Sequence, residues 1–347
     1  MPESNQRPKI LVIRFSSFGD IMQALPCASS LRAKWPQAEI HWLTRSDFAQ
    51  VLKSVSAVDV VWSLSRQDGL NGLLQMARQL RVENFTHVYD AHSNLRSYLI
   101  STLLRLNALL KAQPLSFVRR PKSRLRRLLL FNFKINTFEK PFRGAVSYLN
   151  PLSPWAAPEE LPPIANINLE NEPLNLGTSI SIEKAVVLAP GATWPLKVWP
   201  LERWVEVVRS SQCDLQFLLL GGPEDIETCE QIARASDGHA INFAGKLTWA
   251  QSLRLIQLSR ATVAADTGLL HAADVMGRPA IALIGPTAFG YPSQRSTQVL
   301  EKSLSCRPCS KDGRGKCHNT TFKKCMIDIS ANDVVSSILK ANPNAEF

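Results

Sequence analysis

Short apolar runs alternate along this chain with longer stretches in which apolar residues recur every three or four positions. The first run, Lys9 to Phe15 (KILVIRF), has the length and branched-residue content of a buried strand, and Ile21 to Trp35 has helical spacing. Strand-like segments follow at Glu39 to Thr44 and Val58 to Leu64, then a helix around Leu70 to Leu80 and a strand at His87 to His92. After a basic, leucine-rich stretch from Ser97 to Phe133, strands are expected at Ala185 to Ala189, Gln216 to Leu220, Ala240 to Ala244, Thr262 to Ala265 and Ala280 to Ile284. Asn332 to Ala341 reads as a short amphipathic helix with Asp333 near its start.

Strands alternating with helices imply parallel sheets covered on both faces. The alternation is interrupted between Asn150 and Pro173, where six prolines and little periodicity mark a linker. The expected architecture is therefore α/β: a Rossmann-like domain over 1–150, a proline-rich linker over 151–180, a second Rossmann-like domain over 181–330 and a C-terminal helix over 331–347. Ligands in such sheets bind beyond the carboxyl ends of the strands, here in a cleft between the two domains. The length of 347 residues suits two cores of this size.

Composition narrows the partners. No stretch reaches the roughly 18 to 20 apolar residues of a membrane-spanning helix; Leu99 to Leu110 comes nearest, and Arg105 interrupts it. The polar start, Met1 to Pro8, shows no secretory signal, so a cytoplasmic location is expected. The net charge of +11 is unevenly placed: between Asp90 and Glu139 there is no acid but ten basic residues. Such a segment attracts polyanions (nucleic acid, an anionic membrane or a phosphorylated glycolipid) or is simply a solvated helix face. Four of the seven cysteines, Cys306, Cys309, Cys317 and Cys325, crowd near the end with the spacing C-x2-C-x7-C-x7-C. They suit structural zinc less well than paired C-x2-C knuckles do, and reduced thiols packed in a basic loop is the favoured reading.

Four segments carry candidate chemistry. In Arg14-Phe15-Ser16-Ser17-Phe18-Gly19-Asp20, Gly19 allows a tight turn, and Asp20 starts a helix at the functional edge of the sheet, either as a reactive carboxylate or as a helix cap. The loop from Ala189 to Pro200 holds the same place in the second half, and Lys197 within it is able to meet a diphosphate as a point charge. Asp266-Thr267-Gly268-Leu269-Leu270-His271 opens another helix, whose free amides at Thr267, Gly268 and Leu269 make an anion site, with His271 one turn on. Leu220-Gly221-Gly222-Pro223-Glu224-Asp225 ends a strand with acids suited to ribose hydroxyls. No G-x-G-x-x-G follows either first strand and no G-x4-G-K-[ST] occurs, which removes the main support for dehydrogenase and P-loop readings.

Taken in order, RFSSFGD, YDAHSNLRS, PGATWPLKVWP, DTGLLHAADVMGRPAIALIGPT and the C-x-P-C to C-M-x-x-I ending resemble the glycosyltransferase family 9 heptosyltransferases of lipopolysaccharide core synthesis, over about Lys9 to Ser330. The resemblance implies a GT-B fold and an inverting transfer from ADP-heptose to the inner core (lipid A-Kdo or a heptosyl core), with no required cofactor. It implies Asp20 as catalytic base. Lys197, Thr193, Glu224, Asp266, Thr267, Gly268 and His271 would serve the nucleotide-sugar donor. Ser17, Gly19, Asn94, Arg96, Arg119, Arg120 and Arg124 would serve a phosphorylated glycolipid acceptor at the anionic inner-membrane surface, with peripheral attachment. The chain departs from the family pattern at Thr193 to Leu196, which is less polar, and at the insert-like loop from Ser310 to Lys316. Two rivals remain: a sugar-nucleotide epimerase of the same fold, and a basic nucleic-acid-binding protein with a zinc site. The second lacks aromatics interleaved with its basic residues for stacking bases, so no nucleic-acid partner is expected.

Overall fold

The computed structural model describes residues 7–156, 161–174, 176, 180–210 and 215–341. Parts of the expected linker (157–160, 175 and 177–179) and the end of the expected last helix (342–347) lie outside the described residues. The chain forms two compact units, and their boundary is not a single cut. One unit runs to Lys122 and takes in Ala145–Asn168; the other comprises Ser123–Gly144 and the chain from Leu169 onward. The basic stretch 123–144, placed by sequence within 1–150, thus clusters with the second unit.

In the first unit the elements are β1 (Lys9–Ile13), α1 (Phe18–Lys34), β2 (Glu39–Arg45), α2 (Ala49–Lys53), β3 (Val60–Leu64), α3 (Gly69–Val82), β4 (His87–Asp90), α4 (Leu95–Leu110) and β5 (Ser116–Arg119). Among the described residues the strands form one parallel sheet in the order β3-β2-β1-β4-β5. Two helices follow, α5 (Arg124–Phe133) and α6 (Gly144–Leu149). The first-unit core joins Leu11, Ile13, Leu43 and Val88 from the sheet to Leu73, Ala77 and Leu80 of α3 and Ile100 and Leu104 of α4. Those helical positions recur at three and four residues, the spacing that puts them on one face.

The second unit holds β6 (Ala185–Ala189), α7 (Leu201–Ser210), β7 (Gln216–Leu219), α8 (Ile226–Ala235), β8 (Ala240–Asn242), α9 (Trp249–Leu258), β9 (Ala261–Ala265), α10 (Gly268–Val275), β10 (Ala280–Ile284), β11 (Thr297–Glu301), α11 (Lys324–Ile327) and α12 (Ala331–Lys340). Its sheet, again parallel among the described residues, has the order β11-β10-β9-β6-β7-β8. Strands β6, β9 and β10 are buried at every residue, as central strands covered on both faces must be. Each sheet has the doubly wound order of a Rossmann-like unit. Strands β5 and β11 were not foreseen: both are edge strands with half-exposed sequences (SFVR, TQVLE) that leave no apolar run to read.

Candidate functional site

In the first unit the strand order reverses between β1 and β4, so the loops leaving these two strands diverge and leave room beyond their carboxyl ends. Asp20 stands there. Helix α1 begins earlier than the apolar pattern suggested, because Ser17 caps it and Asp20, at the third helical position, reaches back to the Ser17 amide at 3.2 Å. Gly19 is therefore in the first turn of the helix and supplies no special turn. The same carboxylate also pairs with Arg14 Nη2 (2.7 Å) and accepts from Ser17 Oγ (2.8 Å) and Tyr148 Oη (2.9 Å). Burial acts to raise its pKa, but Arg14, Ser17 and Tyr148 outweigh it and hold the carboxyl well below the usual range. Burial raises Tyr148 well above an ordinary phenol, so it stays a donor. Asp20 keeps 42% of its side chain accessible, so it is fixed, ionised and reachable at once.

The loop after β4 is organised by a second carboxylate. Asp90, fully buried, accepts from the Ser93 amide (2.8 Å), the His92 amide (3.1 Å) and Ser97 Oγ (3.0 Å), and pairs with Arg119 (2.8 Å). Asn94 caps α4 by accepting from the Ser97 amide at 2.9 Å. Arg119 also donates to Ser101 Oγ at 2.6 Å and lies over the Tyr98 ring. Arg120 donates to Ser147 and covers Tyr148. Both arginines are therefore committed to internal contacts, whereas Arg96 is exposed. Arg124, on α5, falls in the second unit.

Beside Asp20 opens a cavity of about 250 Å3, lined by Phe15, Ser16, Arg45, Leu64, Arg66, His92, Asn94 and Arg96. No acid lines it, and two buried polar atoms at its wall, Arg45 Nε and His92 Nδ1, have no partner. Burial, reinforced by Arg14, pushes His92 down to about 3, so the ring is neutral at working pH. Asp47, outside the lining, pairs with Arg45 at 2.8 Å and lies 3.8 Å from Arg66, and Arg45 also covers Phe48, so Arg96 and the unpartnered Arg45 Nε are the cationic groups the cavity leaves for an anion.

In the second unit the order reverses between β6 and β9, and the two loops that diverge there are the Lys197 loop and the Asp266-Thr267 turn. Lys197 Nζ lies 3.3 Å from Asp266 Oδ2, and His271 Nε2 lies 3.1 Å from Asp266 Oδ1. Burial would raise the Asp266 pKa; the His271 hydrogen bond and the Lys197 charge carry it well below the usual range instead. Thr267 caps α10 without a side-chain bond, and its buried Oγ1 has no partner. Gly268 opens the helix. A cation, a free hydroxyl and helix amides thus converge on a place suited to phosphate. Thr193 is exposed in the neighbouring loop. Glu224 is also exposed, while Asp225 is half-buried, raised by that burial, and packed so closely on Gly191 that a Cβ there would meet its Oδ1 at 2.0 Å. The Ser310 to Lys316 loop reaches this site: a Cβ on Gly313 would fall 2.7 Å from Lys197 Cγ, and Arg314 covers Trp194.

Among the described residues the cysteines are free thiols; Cys306, Cys309 and Cys317 are half-buried, and Cys325 is raised to about 11 by burial and the neighbouring thiols. The side chains that do converge as metal ligands would are Glu39, His41 and Glu83. There the Lys9 ammonium bridges both carboxylates (2.7 and 3.5 Å), and Trp62 donates to His41 Nδ1, so the network is closed by the chain's own cation.

Sequence reasoning missed Arg14, Tyr148, Arg45 and Arg66; Asp225 was among the acids it left open for the ribose. Arg14 lay within a motif and could have been weighed. Tyr148 had no local signal, because 128 residues separate it from Asp20.

A model of glycosyltransferase family 9 (heptosyltransferase) matches residues 159–319. Lipopolysaccharide heptosyltransferase 1 of Pseudomonas aeruginosa is 24% identical over 319 residues, covering 87% of this chain and 86% of its own. The crystal structure of a family 9 glycosyl transferase from Veillonella parvula superposes with a TM-score of 0.75 at 18% identity, covering 97% of this chain and 99% of its own. The ADP-heptose lipopolysaccharide heptosyltransferase II of Escherichia coli does so with a TM-score of 0.71 at 22% identity, covering 95% and 97%.

Proposed function

We propose that this chain, similar to glycosyltransferase family 9 over residues 159–319 and to a lipopolysaccharide heptosyltransferase over most of its length, is a member of that family and moves heptose from ADP-heptose to the inner core of lipopolysaccharide. Its GT-B fold, two Rossmann-like units in one chain, is the one shared with the heptosyltransferase structures. The observation that carries the donor assignment is the Lys197–Asp266 ion pair next in sequence to an unpartnered Thr267 hydroxyl at the start of α10.

In the proposed reaction the acceptor hydroxyl attacks the anomeric carbon, Asp20 takes its proton, and the bond from that carbon to the diphosphate breaks with inversion. ADP leaves with the electron pair, and the charge growing on it is met by Lys197 and the amides of Thr267 and Gly268. Thr193 and His271 line the same place, and Glu224, or Asp225 beside it, takes the ribose. Asp266 has a different part. A carboxylate does not bind a diphosphate, so it orients Lys197 and His271 from behind. On the acceptor side Ser17 and Asn94 shape the loops, and Arg96, helped by Arg45 and Arg66 in so far as a ligand displaces Asp47 from them, receives a carboxylate or phosphate of the core in the cavity.

No helix among the described residues is long and apolar enough to cross a membrane. The net charge of +11 supports peripheral attachment to the anionic cytoplasmic face of the inner membrane, and no role with nucleic acid is proposed. The test is transfer followed by mass spectrometry, offering ADP-heptose with heptose-deficient and heptose-bearing core acceptors. Mass gain of one heptose, absent in Asp20→Asn, supports the reading. ADP binding without transfer to either acceptor overturns it.

A further inference from the structure

The segment 123–144 leaves the first unit, packs on the second and returns, and at its centre is a helix that is apolar on two sides. One side is satisfied. Leu130 is 2% exposed, and Phe131, Phe138 and Phe142 surround Phe289 with ring centroids 4.8 to 5.9 Å away. Arg126 and Arg127 belong to that side as well: Arg126 bonds Thr137 and covers Phe138, and Arg127 covers Phe289. The other side is not covered among the described residues. Leu125 is 71% exposed and Leu128, one turn on, 48%. Phe133, the last residue of the helix, is 62% exposed, and Ile135 just beyond it 52%. Large apolar side chains clustered this way on a surface mark a contact with something apolar.

The charge around them selects that contact. Arg124 and Lys134 flank the apolar residues and are themselves exposed, and no acid occurs between Asp90 and Glu139. A short helix with leucines outward, cations at its ends and an anchored inner face has the composition of an interfacial element, one that lies in the headgroup layer of an anionic bilayer. We infer that Leu125, Leu128, Phe133 and Ile135 insert into the interface of an anionic membrane, with Arg124 and Lys134 engaging lipid phosphates. Attachment is then partly hydrophobic. The arginines Arg119, Arg120, Arg126 and Arg127, which a count of charges would credit, hold the fold instead. This inference does not depend on the glycosyl-transfer reading.

The experiment is co-flotation of the full chain with phosphatidylcholine vesicles, with and without phosphatidylglycerol, across a salt series. Wild type is expected to bind the anionic vesicles and to keep a salt-resistant fraction. Leu125→Ser/Leu128→Ser should lose that fraction, with vesicle partitioning down about tenfold or more, at unchanged melting temperature and ADP affinity. In a Phe133→Trp variant, lipids brominated in the upper acyl chain should quench more fluorescence than in wild type. Binding abolished by salt alone, vesicle affinity unchanged in the double variant, or no added quenching overturns the proposal. A change of oligomeric state in the double variant with vesicle binding intact assigns the face to a second copy of the chain.

Discussion

The Tyr148 hydroxyl donates to Asp20 Oδ1 at 2.9 Å, while Arg14 and Ser17 hold Oδ2, so every fixed partner of the carboxylate is itself buried or part of its own turn. Tyr148 reaches Asp20 only because the chain returns to the first unit at Ala145. The carboxylate is consequently oriented from two directions, and the two bonds serve different ends.

Asp20→Asn should lower kcat by about 100- to 10,000-fold, the usual scale for a general base, with ADP affinity nearly unchanged because the donor elements lie elsewhere in the chain. Tyr148→Phe removes only one orienting bond, and kcat should fall by less than about tenfold. Single-turnover kinetics with ADP titrations in parallel separate the cases. Equal losses in the two variants, or a parallel loss of ADP affinity, contradict the assignment of the base.

Lys197 and Asp266 are paired with only 13% of each side chain exposed. If Lys197 meets the diphosphate and Asp266 only aims it, Lys197→Met should weaken ADP by about tenfold or more, one charge-assisted bond or better. Asp266→Asn should weaken it less, since it also removes a negative charge near the phosphates. Stability follows another rule: Lys197→Met leaves a buried carboxylate without its lysine and should cost about 3 kcal/mol. Calorimetric ADP binding and chemical denaturation of both variants test this, and an Asp266→Asn loss as large as that of Lys197→Met would make Asp266 a direct donor contact.

Much of this was legible in the sequence, for identifiable reasons. Strands β6 and β10 begin and end where their apolar runs do, because central strands are buried on both faces and admit little else. Motifs tied to a strand end, such as Asp20 and the Lys197 loop, were legible because a turn, a glycine or a cap announces them locally. What stayed hidden depends on contacts distant in sequence. Nothing near Arg119 says that Asp90 will bind it, or that Arg126 and Arg127 will lie over Phe138 and Phe289. A block of basic residues therefore looked like one surface for polyanions, although most of its arginines make internal contacts.

Asp20 and Asp266 both have pKa values depressed in the folded protein. The stabilisation each contributes is present above the unfolded value of about 4 and is lost as pH falls through the folded value. Acid should therefore destabilise the protein progressively below about pH 4, with no transition near neutrality from these groups. Because Asp20 is ionised and His92 neutral across the working range, kcat/KM should show no ionisation of either between about pH 5 and 8. A pH–rate profile checks this. An acidic limb near pH 6 that disappears in His92→Gln would show that His92 titrates in the free enzyme.

Gly290 offers a way to perturb the proposed donor site without replacing any residue proposed to bind the donor. A Cβ at this position would fall 2.0 Å from Asp266 Cγ and 2.3 Å from both carboxylate oxygens. Asp266 has a short side chain held by Lys197 and His271, so it moves only by breaking those contacts. The backbone at Gly290 is not left-handed, so alanine brings a clash rather than strain. Gly290→Ala should therefore weaken ADP by about tenfold, roughly the worth of a displaced lysine bond, and lower the melting temperature. If the clash is the cause, the damage depends on the carboxylate being there. Against an Asp266→Ala background, the further effect of Gly290→Ala on stability should nearly vanish, a coupling of about 1 kcal/mol or more in a double-mutant cycle. Additive losses would mean that Gly290 acts through its loop, and that Asp266 is not what it accommodates.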